Sequence, residues 1–150
     1  MKISNVLVAT DGSKVARKAV RYAADLARQL NASVTLLEVI DLVNLVAAGA
    51  NPVMMPAKIM METRDLLRQA ASDRLDLVMA DFKKKGLRVQ TAVRTGIATD
   101  EIIKEAKRRK ADLIVLGSHG RSALKAAVLG SVAYGVIHRD TGIPVLVVRK

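Results

Sequence analysis

Cysteine and tryptophan are absent from the 150 residues, and the aromatic set is Tyr22, Phe82 and Tyr134. Without cysteine there can be no disulfide, no zinc–thiolate site and no cysteine nucleophile, and the chain suits a reducing compartment. With three rings the core has to be aliphatic, and a single-strand nucleic-acid platform of stacked aromatics has too little to be built from. No apolar run approaches the roughly 18 residues of a membrane-spanning helix. Met1-Lys2 opens a short apolar run that stops at Asp11, which is no signal-peptide pattern. A cytoplasmic protein with no membrane contact is expected. Two familiar nucleotide loops are missing as well. No Gly-x-Gly occurs, which removes the dinucleotide fingerprint. Gly130 and Gly135 have the outer spacing of a Walker A loop, but Val136-Ile137 stand where that loop needs Lys-Ser/Thr.

What is present begins with apolar residues, 51% of the chain, and a formal charge of +11. A chain of this length and apolar content suits a single domain, here residues 1–150, with a real core. The charge favours anionic partners, among them phosphate ligands, nucleic acid and acidic proteins. Many of the cations fall on expected helix surfaces: Arg17, Lys18 and Arg21; Lys83 to Lys85; Lys104, Lys107 and Arg108 to Lys110. Such runs are ordinarily solvated helix faces.

Along the chain, Ile3–Ala9 reads as a strand closed by the turn Thr10-Asp11-Gly12-Ser13. Ser13 is placed to cap a helix whose apolar positions run from Ala16 to Leu30, with Asn31 ending it. "SVTLLEVI" from Ser33 is a second strand. Residues 41–56 carry Gly49, Pro52 and Pro56 with no clean period, as both functional lids and plain insertions do. Ala57–Lys85 reads as a long helix with the seam Leu67, Ala71, Leu75, Val78 and Phe82, ended by Gly86. "LRVQTAV" is a third strand. Residues 99–109 form a helix with Ile102, Ile103 and Ala106 inward and with Asp100 and Glu101 in its first turn. "ADLIVLG" is the fourth strand, Ser131–Arg139 the last helix and "IPVLVVR" the fifth strand.

Strictly alternating strands and helices predict an α/β fold: a doubly wound, five-stranded parallel sheet covered on both faces. Right-handed crossovers leave few topologies, and the order 3-2-1-4-5 is expected. The chain then reverses direction across the sheet between strands 1 and 4. That is a switch point, where ligands of open α/β sheets bind. Strand 1 ends in "ATDGS" and strand 4 in "GSHG", so the two glycine loops are expected side by side.

The second loop is Gly117-x2-Gly120-x9-Gly130-Ser131. Glycine reaches positive φ cheaply and lets a ligand approach the backbone. Successive amides in such a loop can form an anion nest, and Gly130-Ser131 opens a helix whose first N–H groups are unpaired. Ser131 adds a hydroxyl, and Arg121 and Lys125 add charge. Tight turns and close packing would use the same glycines.

This pattern, with Val132 after it, "PVLVV" at the end and "VLVATDGS" at the start, resembles the universal stress protein family over essentially the whole chain. It resembles in particular the ATP-binding subgroup marked by this glycine motif. The resemblance implies a Rossmann-like, adenine-nucleotide alpha-hydrolase-like fold and a stress-response or signalling role governed by ATP. It implies that Gly117, Gly120, Gly130 and Ser131 hold the phosphates, with Val132 and Arg121 beside them. Ala9, Thr10 and Asp11 would lie at the nucleoside end. Asp11 would be repelled by bare phosphate, and suits ribose hydroxyls or a phosphate-bound Mg²⁺ or Mn²⁺. The plainer reading of Asp11 is a turn and helix-start residue. Val39 would offer backbone groups to the adenine edge and Leu116 would pack the base, although on periodicity alone both are ordinary core positions.

Phosphoryl transfer needs a metal clamp, a positioned nucleophile and charge stabilisation. The sequence supplies a cradle and one carboxylate but no convincing base. His119 in the loop does not make one by itself, and His138, beside Arg139 and Asp140, reads as surface or cap. At most a weak ATPase is expected, with no catalytic residue assigned. Two alternatives remain: a basic nucleic-acid-binding protein, which lacks a helix-turn-helix or basic-zipper pattern, and an interaction module without nucleotide. For the last, the apolar strand 144–149 at the sheet edge invites pairing. The resemblance implies a homodimer through that strand. A protein partner is also expected, of unknown identity.

Overall fold

A computed structural model of the chain describes residues 1–41, 54–120 and 129–149. Arg121, Lys125 and most of the 41–56 connection lie outside the described residues. The elements are β1 (Asn5–Ala9), α1 (Lys14–Leu30), β2 (Ser33–Ile40), α2 (Ala57–Lys84), β3 (Arg88–Thr95), α3 (Ala98–Arg108), β4 (Leu113–Gly117), α4 (Ser131–Ile137) and β5 (Val145–Val148). The five strands form one parallel sheet in the order β3-β2-β1-β4-β5, as expected.

Local chemistry sets the helix ends. Ser13 Oγ accepts the Ala16 amide at 3.2 Å, so α1 starts at Lys14, two residues before the first buried position, Ala16. Asn31 sits in the left-handed region at φ 53°, and the Ala32 amide turns back to Ala27 O at 2.8 Å. Gly86, at φ 75°, performs the same service after α2. Helix α4 is shorter than the sequence suggests, because His138 closes it as a cap.

Strand alternation divides the core into two layers. Val6, Val8, Val34 and Leu36 face α1 and α2, where they meet Ala19, Ala23, Ala27, Leu75 and Phe82. Leu7, Leu37, Ile114 and Leu116 face α3 and α4, where they meet Ile102, Ala106, Ala133 and Val136. Alanine dominates the buried face of α1, and such small side chains let the helix lie close to the sheet. The predicted α2 seam is present, with Ala71, Leu75 and Phe82 buried. Its first half, residues 57–70, buries none of its side chains. No helix among the described residues is long and apolar enough to cross a membrane.

Candidate functional site

The switch point lies between β1 and β4, which pair from Val6↔Leu113 to Val8↔Val115. Both strands empty at the same end of the sheet, and their loops touch. Thr10 is tied to β2 by its amide on Leu37 O at 2.8 Å. Its Oγ1 accepts the Gly12 amide at 3.1 Å, and Asp11 Oδ1 accepts the Ser13 amide at 2.9 Å. Gly12 takes φ 76° to complete the turn, and its carbonyl accepts Arg17 Nη1 at 2.5 Å. The β1 loop is thus a run of side-chain-to-backbone turns leading directly into the Ser13 cap.

The loop after β4 approaches this turn edge-on. A Cβ on Gly117 would lie 3.2 Å from Val15 Cγ1 and 3.3 Å from the Ala16 amide nitrogen. A Cβ on Gly120 would lie 2.6 Å from Asp11 Oδ2. The chain returns at Gly130, where a Cβ would lie 3.1 Å from Ser118 O and 3.2 Å from His119 Cα. None of these three glycines has a positive φ. The expectation that they serve positive φ is therefore corrected: they are glycine because neighbouring atoms occupy the space of a side chain.

Ser118 organises the loop and was not singled out by the sequence. It is 1% exposed. Its amide donates to Val148 O at 2.8 Å, its carbonyl accepts the Gly130 amide at 2.7 Å, and its Oγ lies 3.0 Å from His119 Nδ1. One small residue thereby joins the end of β4, the end of β5 and the start of α4. The only sequence signal was its place between Gly117 and Gly120.

The other named residues divide in two. Ala9 ends β1 and Thr10 and Asp11 follow it, Gly117 ends β4 and Gly120 lies beyond it against Asp11, and Gly130, Ser131 and Val132 open α4. Ser131 is exposed as the first residue of α4, and Val132 is half-buried. Leu116 is buried in the α3–α4 layer, and Val39 packs against the same layer from β2. Among the described residues no three His, Cys, Asp or Glu side chains gather as a metal site. His138 is exposed and stacks on Tyr134, with ring centroids 3.9 Å apart.

Comparison with known proteins agrees with this architecture. The family model described as "Universal stress protein family" matches residues 2–149. Universal stress protein MJ0531 of Methanocaldococcus jannaschii is 33% identical over 148 residues, 97% of this chain and 81% of that protein. The solved structure of protein MJ0577 from the same organism superposes with a TM-score of 0.86 at 28% identity, covering 100% of this chain and 98% of that one. A universal stress protein solved in complex with cAMP has the same fold, with a TM-score of 0.70 at 24% identity and coverage of 99% and 98%. With a match across nearly every residue and a shared sheet order, this chain belongs to the universal stress protein family.

Proposed function

We propose that the chain binds ATP where the β1 and β4 loops meet and acts as a nucleotide-dependent stress-response or signalling module. The observation that carries this reading is the approach of Gly120 to Asp11, where a Cβ would come within 2.6 Å of Oδ2. It brings a bare stretch of backbone beside a carboxylate at the switch point of the sheet. The Gly117–Gly120 and Gly130–Ser131 backbone would receive the phosphates, with Arg121 adding charge. Asp11 would face the ribose hydroxyls, and Ala9 and Thr10 would line the nucleoside. Val39 and Leu116 would bound the adenine through backbone atoms and apolar contact. The family member solved with cAMP shows an adenine nucleotide held by a protein of this fold.

Asp11 fits a divalent ion only as one ligand among several. Its Oδ1 already holds the Ser13 amide, so triphosphate oxygens and water would complete the shell of a Mg²⁺ or Mn²⁺. In the bound state the ion would neutralise phosphate charge. A single carboxylate with no assigned base makes ATP a bound effector here, with at most slow hydrolysis.

The test starts with protein purified without added nucleotide. After denaturation, released small molecules are identified by chromatography and mass spectrometry, and stripped protein is titrated with ATP, ADP and AMP with and without Mg²⁺. ATP is expected to be released or to bind, and Gly120→Val to weaken it about tenfold or more, because a branched side chain drives into Asp11. A chain that neither carries nor binds any of the three leaves the glycines with a packing role alone.

We further propose that the protein is a homodimer through β5. Ser118 and Ile114 amides donate to Val148 O and Pro144 O. By strand alternation the backbone groups of Val145 and Val147 then point away from β4, along an apolar edge.

A further inference from the structure

The opposite edge of the sheet is β3, and its chemistry is different. The Gly96 amide donates to Ile40 O at 3.1 Å. Counting back by two, residues 90, 92 and 94 direct their backbone groups to β2, and Thr91 and Val93 direct theirs outward. A groove of about 510 Å³ follows this edge. Residues 91–94 form its floor, Arg68, Gln69 and Ser72 of α2 one wall, and Arg109 the other. The α2 residues recur at one helical face, so the wall runs along the strand.

The groove is cationic by construction. Glu105 is 2% exposed and collects three guanidinium groups. Arg94 Nε reaches Oε2 and Arg109 Nε reaches Oε1, both at 2.9 Å, and Arg108 Nη2 reaches Oε1 at 2.7 Å. Of the three, Arg94 and Arg109 line the groove, and against the one buried carboxylate they leave an excess of +1 (2 − 1). Arg68 and Asp65, which both line the groove, cancel. Arg109 also donates to Gln90 Oε1, and Arg94 Nη1 caps the Val93 carbonyl at 3.1 Å. The buried carboxylate therefore holds two guanidinium planes on the edge, while the Thr91 and Val93 amides and the Thr91 carbonyl face the groove.

We propose that the β3 edge docks an extended, acidic segment of a partner protein, which adds to the sheet as a further strand. Main-chain pairing to Thr91 and Val93 supplies the register, and carboxylates on the incoming segment meet Arg68, Arg94 and Arg109. A second copy of the same edge is a poor occupant, since its arginines would face these.

The test uses a fluorescein-labelled eight-residue peptide, Glu-Glu-Val-Val repeated twice, which as a strand carries carboxylates on both faces, followed by fluorescence anisotropy at low salt. Saturable binding is expected, with little for the valine–lysine counterpart. Methylating alternate peptide nitrogens, which keeps charge and removes strand pairing, is expected to weaken binding about tenfold or more. Arg68→Glu is expected to do the same. Thr91→Pro removes an outward amide at a position where an edge strand accepts proline, and is also expected to weaken binding. Thermal melting by circular dichroism verifies that each variant is folded. Absence of saturable binding overturns the proposal. So does equal binding of the methylated peptide, or full displacement by inorganic phosphate, either of which reduces the groove to a simple anion site. None of these readouts involves ATP.

Discussion

Gly130 is enclosed by backbone, with the Ser118 carbonyl and His119 Cα on the side where a methyl group would go. Neither atom can step aside as the tip of a long side chain could. Gly130→Ala is therefore expected to cost about 1–3 kcal/mol, measured by urea denaturation. At this scale the sequence was informative about where glycine is required and less so about why. The spacing of Gly117, Gly120 and Gly130 is visible in one dimension. The atoms that crowd them come from Asp11, Val15 and Ser118, and those distances are set by the β1–β4 pairing. Ser118 escaped notice for a related reason: its role lies in bonds to Val148 and Gly130, and no local pattern encodes them.

Elements whose ends depend on local chemistry were legible. Ser13, Asn31 and Gly86 each do at a helix end what their residue type suggests. Ends decided at long range were not. The first strand was read from Ile3, yet it starts at Asn5, because Asp112 Oδ2 accepts the Ser4 and Asn5 amides at 2.8 and 2.9 Å. The fifth strand was read from Ile143, yet Thr141 Oγ1 binds both the amide and the carbonyl of that residue, and β5 begins at Val145. Helix α3 shows how charge joins elements. Glu105, which no sequence pattern singles out, is its buried anchor to β3 through Arg94. Replacing it with alanine leaves three guanidiniums facing one another. The arginines are 30%, 31% and 57% exposed, so water relieves much of the penalty of a broken buried pair. A loss of about 1–3 kcal/mol in urea denaturation is expected, and it should shrink as added salt screens the stranded charges.

For the whole molecule, alternation of strand and helix was enough to predict the sheet order, because handedness and short connections leave so few arrangements. From that order came the meeting of the two glycine loops, so the candidate site was legible through the fold as much as through its motif. The groove at β3 was not legible. Its arginines are spread from Arg68 to Arg109 in the chain and converge only in three dimensions. Dimerisation belongs to this scale too. Val147→Pro removes an outward amide while sparing the bonds to β4, and sedimentation velocity is expected to find the parent as a dimer and the variant as a monomer. An unchanged dimer in the variant would exclude β5 as the contact.

The two borders of the sheet are unequal, one greasy and one positively charged, and this inequality would limit growth of an assembly. If two copies join greasy border to greasy border about a two-fold axis, as proposed, each will have used the side that attracts its own kind. What would remain at both extremities of the combined ten-strand sheet is a set of arginines, which would turn away any further copy and favour something negative. A parallel sheet with two open flanks would otherwise be a template for fibres. In the proposed dimer assembly would stop at two, and the same charges that stop it would leave a place for a different molecule.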